Sequence, residues 1–180
     1  MEYKRLFIFV EGLNDEDFFK KIIIPLFGQT YDNIITIKYS QKLNKWKRNF
    51  LKSIISMNAD YIYVSDINQE PCVTAKKQQI ETQLGNINTN KIIIVIKEIE
   101  SWYIALVTDK NSKSIGLEPS KMTDDMTKEE FNKLIPAKFD SRVDFMSEIL
   151  KFTSHPELSI AMQKNKSLKY FIEKYKLQSF

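Results

Sequence analysis

The sequence LFIFV at residues 6–10, followed directly by Glu11 and Gly12, decides the fold of this chain. An unbroken run of β-branched and other large apolar residues is typical of a strand buried on both faces, as in a parallel sheet covered by helices. The acidic residues at positions 15–17 suit the first turn of a helix, where the macrodipole is positive. The stretch therefore predicts a buried strand, a sharp turn and a helix.

Three more strand patterns follow, each separated from the next by a helical one. The strands are predicted at residues 33–39 (NIITIKY), 61–64 (YIYV) and 91–96 (KIIIVI). Helical patterns occupy residues 43–57 and 73–84, and a further helix begins at residue 98. This alternation predicts an α/β fold with a four-stranded, mainly parallel sheet and flanking helices.

The pattern changes after residue 107. Residues 108–127 are polar and predict a loop, and helical patterns follow at residues 127–134, 140–152 and 167–175. We therefore expect an α/β core over residues 1–107. A mostly helical C-terminal extension, residues 108–180, is expected to cap the same core.

Composition narrows the classes of site that the chain can form. The net charge of +4 permits a nucleic acid or another polyanion as partner, although a solvated lysine-rich surface gives the same value. Cys72 and His155 are the only residues of their types, which excludes an intrachain disulfide and a Cys/His zinc site. The apolar stretches are too short for a signal peptide or a membrane span, so we expect a soluble, cytoplasmic protein with no membrane partner.

Carboxylates follow three of the predicted strands. Glu11 ends the first strand, Asp66 ends the third, and Glu98 and Glu100 follow the fourth. The carboxyl ends of parallel strands meet at one edge of a sheet, so these acids are expected to converge. Because clustered carboxylates repel one another, a hard divalent cation such as Mg²⁺ would stabilise them.

Each acid also has a simpler explanation as a turn or helix-capping residue. For Asp66 in the sequence SDIN that explanation is sufficient, and for Glu11 before Gly12 the two readings are balanced. Acids at three strand ends in one chain favour the metal site.

Three short motifs resemble those of the TOPRIM family. Residues 7–15 (FIFVEGLND) resemble its first motif, a strand ending in Glu-Gly before an acidic helix start. Residues 63–68 (YVSDIN) look like the second, Asp-x-Asp motif, and residues 97–102 (KEIESW) are similar to the Glu-x-Glu-x-Trp stretch of small stand-alone TOPRIM proteins and OLD-type nucleases. The resemblance covers about the first 107 residues well.

The resemblance implies a catalytic site that uses Mg²⁺ or Mn²⁺. In it Glu11 would be a metal ligand or general acid/base, and Asp66 the main metal ligand. Asn68 stands where the family often has a second Asp, and its amide oxygen could still coordinate the ion. Glu98 and Glu100 compete for the remaining position, which is both catalytic and metal-binding. Glu98 is slightly favoured because it lies at the strand end, whereas Glu100 is the more recognisable residue of the Glu-x-Glu-x-Trp motif.

The function implied is a Mg²⁺-dependent nuclease that hydrolyses DNA or RNA phosphodiesters, in bacterial or phage defence and beside an ATPase partner. One alternative is a catalytically degenerate module of the same fold that binds or regulates, which Asn68 favours. Another is a phosphotransfer receiver-like domain, which fits Glu11-Gly12 poorly because it needs an acidic pair after the first strand.

Basic residues supply candidate contacts for nucleic acid. Lys45, Lys47 and Arg48 lie on the second predicted helix, and Lys97 precedes the acidic pair. The alternative for the helix is an amphipathic element with Trp46 in the core and its lysines in solvent. Lys97 could equally balance local charge.

Overall fold

The structure, a computed structural model, describes residues 3–28, 30–85, 87–151, 153 and 155–177. Its four strands form one sheet in the order β2-β1-β3-β4, and all of them run parallel. The strands are β1 (Arg5–Val10), β2 (Asn33–Lys38), β3 (Asp60–Asp66) and β4 (Ile92–Val95). The predicted α/β fold with a parallel four-stranded sheet is therefore confirmed.

The register of the central strands fixes which residues meet at the carboxyl edge of the sheet. Phe9 of β1 is paired with Tyr63 of β3, so continuing both strands by two residues brings Glu11 level with Ser65. On the other side of β1, Val10 is paired with Lys38 of β2. The first residues after β1 therefore lie between those that follow β2 and the end of β3.

Helices connect the strands, as parallel pairing requires. The N–H of Gly12 donates a hydrogen bond to the Asp15 carboxylate (3.1 Å), so Gly12 starts the first helix. This helix continues into a π-helical turn, Phe19–Ile23, and a 3₁₀ turn, Ile24–Phe27. The α-helices of this part are α1 (Leu13–Phe18), α2 (Asn44–Ser56) and α3 (Val73–Leu84), and a short 3₁₀ turn, Thr89–Lys91, precedes β4.

The core of this part lies between one face of the sheet and the helices α2 and α3. Alternate residues of a strand point to opposite faces, so Phe7 and Phe9 face these helices while Ile8 points to the other side, where it is also buried. Leu51 and Ile54 of α2 pack into the same cluster. Burial on both faces explains the continuous apolar runs of β1, β3 and β4, whereas β2, at the edge of the sheet, is only half-buried.

The chain divides into two compact units, residues 1–94 and residues 95–180. The division falls at the end of the last strand, earlier than the change of composition after residue 107. The second unit contains the helices α4 (Glu100–Ala105), α5 (Ser112–Ile115), α6 (Lys128–Leu134), α7 (Arg142–Lys151), α8 (His155–Lys164) and α9 (Lys166–Lys174).

Two of these helices were not predicted from the sequence. The short helix α5 lies inside the segment expected to be a loop, and α8 fills a stretch to which no element was assigned. His155 is the first residue of α8, and its side chain lies outside the described part of the structure.

Large aromatic side chains form the core of the C-terminal unit. Trp102, Phe131, Phe145 and Phe171 are fully buried, and the indole N–H of Trp102 donates a hydrogen bond to the Ser167 hydroxyl (2.8 Å). This satisfies the polar atom of a buried tryptophan, as burial requires. Of the helices that the structure describes, none has both the length and the apolar character needed to cross a membrane.

Candidate metal centre

Glu11 is held at the carboxyl edge of the sheet by groups from two neighbouring strands. Its Oε1 atom accepts hydrogen bonds from the backbone N–H of Asp66 (3.0 Å) and from the Ser65 hydroxyl (2.9 Å). It also accepts a longer, shared bond from the Tyr39 hydroxyl (3.3 Å), whose single proton also points to the Val64 carbonyl. All three bonds go to Oε1, and no residue within the described ranges donates one to Oε2. One carboxylate oxygen therefore fixes the orientation of Glu11, and the other is available to a cation.

Tyr39 forms the buried wall of this cluster. Its hydroxyl donates a hydrogen bond to the backbone carbonyl of Val64 (2.8 Å), and its ring stacks on that of Tyr63 with centroids 4.6 Å apart. Burial raises the pKa of Tyr39 well above its usual value, and the negative charge of Glu11 acts in the same direction. Tyr39 is therefore a neutral hydrogen-bonding group that positions its neighbours.

Asp66 is the last residue of β3, and its half-buried side chain lies at the same edge as Glu11. The structure thus brings together the acids that end β1 and β3. Two residues later, Asn68 has a left-handed backbone conformation (φ 53°), which asparagine adopts more readily than most residues. Its Nδ2 donates to the Asp66 carbonyl (3.3 Å), so Oδ1 is the amide atom suited to coordinate a cation.

Lys47 approaches this cluster from helix α2. Its ammonium lies 4.9 Å from the centroid of the Tyr39 ring. Burial lowers the pKa of Lys47, and the charge of Glu11 opposes that shift, so the two groups are close enough to interact electrostatically. A half-buried cation beside a carboxylate can contact a phosphate that binds there.

The donor atoms suit a hard divalent cation. Mg²⁺ takes oxygen ligands and is usually bound by one or two carboxylates together with waters and substrate phosphates. Glu11, whose Oε2 accepts no hydrogen bond from the described residues, and Asp66 would supply two such carboxylates, and Asn68 would supply a neutral oxygen. Within the described residues, no group of three or more His, Cys, Asp or Glu side chains could hold a metal ion.

Glu98 and Glu100 have partners within the C-terminal unit. Glu100 is buried at the start of α4 and forms an ion pair with Arg142 of α7. Glu98 accepts a hydrogen bond from the backbone N–H of Lys128, at the start of α6. Lys97, the basic candidate beside them, is exposed and has a left-handed backbone conformation (φ 61°).

The basic candidates on α2 divide by environment. Lys45 is exposed, whereas Arg48 donates to the carbonyl of Gln83 in α3 (3.1 Å) and so links the two helices. Trp46 is 38% exposed, so its expected place in the core is wrong, whereas the amphipathic helix with exposed basic residues is observed. The Trp46 ring instead lies on that of Phe50, which shields only part of it. Trp102, in contrast, is a core residue.

Sequence reasoning missed Tyr39 and Ser65, which orient Glu11, and the buried carboxylate of Glu16. Glu16 accepts hydrogen bonds from Lys38 (2.6 Å) and Thr36 (2.8 Å) of β2 and pairs with Lys20 (3.0 Å). Burial alone would raise the pKa of Glu16, but these bonds outweigh it and lower the pKa to about 2. The sequence did contain a signal for Tyr39 and Ser65. Tyr39 directly follows β2 and Ser65 directly precedes Asp66, so both lie at strand ends where the site was expected.

No protein-family model, curated protein or solved structure matches this chain.

Proposed function

We propose that the N-terminal unit is a Mg²⁺-dependent nuclease centre of TOPRIM type that hydrolyses phosphodiesters of DNA or RNA. The proposal combines the resemblance of the three sequence motifs with the arrangement of Glu11. The observation that carries it is a strand-end carboxylate whose Oε1 is tied by neighbouring donors while Oε2 accepts no hydrogen bond from the described residues.

The residues around Glu11 have separable roles in this proposal. Glu11 and Asp66 hold the ion, with Asn68 as a third, neutral ligand. A bound Mg²⁺ supplies Lewis-acid chemistry, polarising a phosphoryl oxygen and lowering the pKa of water. Ser65 and Tyr39 keep the Glu11 carboxylate in place. Lys47, beside Tyr39, binds the phosphate.

The test is cleavage of plasmid, single-stranded DNA and RNA by the purified protein in Mg²⁺ or Mn²⁺. Glu11→Gln and Asp66→Asn preserve shape but remove the ligand charge, so each should reduce cleavage by at least about 100-fold. Asp17→Asn is the matched control, because it removes one acid from the neighbouring helix α1 and leaves the cluster intact. Cleavage that survives in Glu11→Gln would contradict the assignment.

A second function is favoured by Asn68. Asn68 replaces the second aspartate of the Asp-x-Asp motif with an uncharged amide, so the site carries less negative charge. A weaker negative charge suits a module that binds metal or nucleic acid without cleaving it. Binding of Mn²⁺ by the wild-type protein, together with no cleavage of any of the three substrates, would select this function. In that case Asn68→Asp tests whether the missing charge is what prevents catalysis.

A further inference from the structure

Helix α2 presents an aromatic ring at its surface instead of burying it. Trp46 is 38% exposed, and its ring lies on the ring of Phe50 with centroids 4.9 Å apart and an angle of 10° between the planes. Phe50 in turn meets Phe7 and Phe9 of β1 edge-on, at 6.0 and 5.9 Å. Trp46 is therefore supported from below by the core, although much of its own surface faces solvent.

The charged residues of the helix that carries this ring are all basic. Helix α2 contains four basic residues, Lys45, Lys47, Arg48 and Lys52, and no acidic residue. Just before the helix, Lys42 places its ammonium 5.4 Å from the centroid of the Trp46 ring. Such a surface attracts a polyanion electrostatically.

We propose that α2 is a binding platform for single-stranded nucleic acid, in which Trp46 stacks on an unpaired base and the lysines around it contact the flanking phosphates. This names the substrate class of the proposed nuclease and rests on that function. Aromatic rings bind bases through their π-faces, and in a duplex these faces are already covered by neighbouring base pairs. Lys42 is exposed and can move from the ring to a phosphate when a base binds.

The platform adjoins the candidate metal centre. Lys47 follows Trp46 in α2, and its ammonium lies over the ring of Tyr39. The hydroxyl of Tyr39 contacts Oε1 of Glu11 (3.3 Å). A strand that runs from Trp46 past Lys47 is therefore led to the edge of the sheet at which Glu11 lies.

Tryptophan fluorescence gives a direct test. The chain has two tryptophans, and Trp102 is completely buried, so quenching by a stacked base reports on Trp46. The full-length protein is titrated in EDTA, which prevents cleavage, with an oligothymidylate of about twelve nucleotides and with a duplex of the same length. We expect the single strand to quench the fluorescence and to bind more tightly than the duplex.

The decisive variant is Trp46→Ala, which should raise the Kd for the oligothymidylate about tenfold, measured by anisotropy of a labelled strand. Trp46→Phe keeps an aromatic ring on Phe50 and should retain part of the affinity. Partial binding by this variant would show that the loss in Trp46→Ala comes from the missing ring and not from misfolding. Tyr170→Ala is the matched control. Tyr170 is also exposed on a helix, α9, and carries a lysine, Lys174, over its ring at 5.3 Å.

The platform would be refuted by an unchanged Kd in Trp46→Ala, by duplex binding as tight as single-strand binding, or by no binding of either. These outcomes are separate from those of the cleavage assay. Trp46-dependent binding in EDTA without cleavage in Mg²⁺ would keep the platform and reject the nuclease. Glu11-dependent cleavage with no effect of Trp46→Ala on binding would keep the nuclease and reject the platform.

Discussion

Glu11, at the sheet edge of the N-terminal unit, differs from Glu100, which follows β4 in the C-terminal unit, in the groups that hold it. Glu11 is oriented by uncharged donors, the Ser65 hydroxyl and the Asp66 N–H. Glu100 is buried against the guanidinium of Arg142. Glu11, Asp66 and Glu100 all follow predicted strands in the sequence, yet their surroundings differ.

The difference lies in charge. Uncharged donors fix a carboxylate without neutralising it, so Glu11 keeps its attraction for a cation. A guanidinium forms a charge-assisted pair that already compensates Glu100. Glu16 belongs to the second type although it lies in the N-terminal unit, because Lys20 and Lys38 compensate it. Glu11 and Glu100 both follow strands, so position alone does not distinguish them. The charge of the partner does: uncharged donors leave Glu11 a candidate metal ligand, whereas Arg142 makes Glu100 part of a structural ion pair.

The largest effect is expected from breaking the buried pair. Arg142→Ala leaves Glu100 buried without its cation, and we expect the free energy of unfolding to fall by about 3 kcal/mol. Urea denaturation measures this loss. Adding Glu100→Gln to Arg142→Ala should restore part of the stability because the uncompensated charge is gone. A double variant no more stable than Arg142→Ala would argue against a structural role for the pair.

Glu16 should make stability depend on pH. Its folded pKa, about 2, lies below the usual value of 4.5, so its contribution is complete above pH 4.5 and is lost as the pH falls towards 2. Glu16→Gln should therefore destabilise the protein by about 2 kcal/mol at pH 7, a figure reduced for the solvent exposure of its lysine partners.

The measurement is urea denaturation of wild type and Glu16→Gln at pH 7, 5 and 3, with Asp17→Asn as control. The difference between wild type and Glu16→Gln should shrink at the lowest pH, while Asp17→Asn should stay close to wild type throughout. A difference that is the same at all three values would show that Glu16 is not held as an ion pair.

Ser65→Ala tests the uncharged donors. The hydroxyl orients Glu11 without touching the ion, and loss of such a contact typically weakens metal binding about tenfold. Titration with Mn²⁺ measures the change. Ser56→Ala is the control, because the Ser56 hydroxyl only bonds the carbonyl of Lys52 within its own helix. Equal Mn²⁺ affinity in Ser65→Ala and wild type would mean that Ser65 does not position the ligand.

The smallest effect is expected from Tyr39→Phe. The variant keeps the stacked ring but removes the hydroxyl that satisfies the Val64 carbonyl, which should cost about 1 kcal/mol of stability. Thermal unfolding detects a change of this size, and Tyr170→Phe on the exposed face of α9 should change the midpoint less. No shift in Tyr39→Phe would indicate that water replaces the lost donor.

The strands of the fold could be predicted because burial on both faces leaves a continuous apolar pattern, as in residues 6–10 and 92–95. The helix α3 was predicted at its observed bounds, Val73–Leu84, since Gly85 ends it clearly. The helices α5 and α8 were missed for the opposite reason: α5 is a single turn in a polar segment, and α8 has only a weak apolar stripe.

For the site, a parallel sheet was enough to predict that Glu11 and Asp66 lie at one edge, because the carboxyl ends of its strands meet there. The observed order then places β1 next to β3. The partners that lie far from Glu100 and Glu16 in the sequence could not be predicted. Arg142 lies 42 positions after Glu100, and Lys38 lies 22 positions after Glu16. Only the folded arrangement of helices and strands brings these charges together. The exposure of Trp46 was equally hidden, since its helical spacing with Phe50 is the same in a core and at a surface.

Calorimetric titration with Mg²⁺ or Mn²⁺ of the wild type, Glu11→Gln, Asp66→Asn and Glu100→Gln separates the two kinds of acid most directly. We expect wild type to bind the ion and Glu11→Gln and Asp66→Asn each to weaken binding by at least about tenfold. Glu100→Gln, which keeps a hydrogen-bond acceptor for Arg142, should bind the ion as wild type does. Unchanged affinity in Glu11→Gln, or an equal loss in Glu100→Gln, would contradict a metal centre built on Glu11 and Asp66.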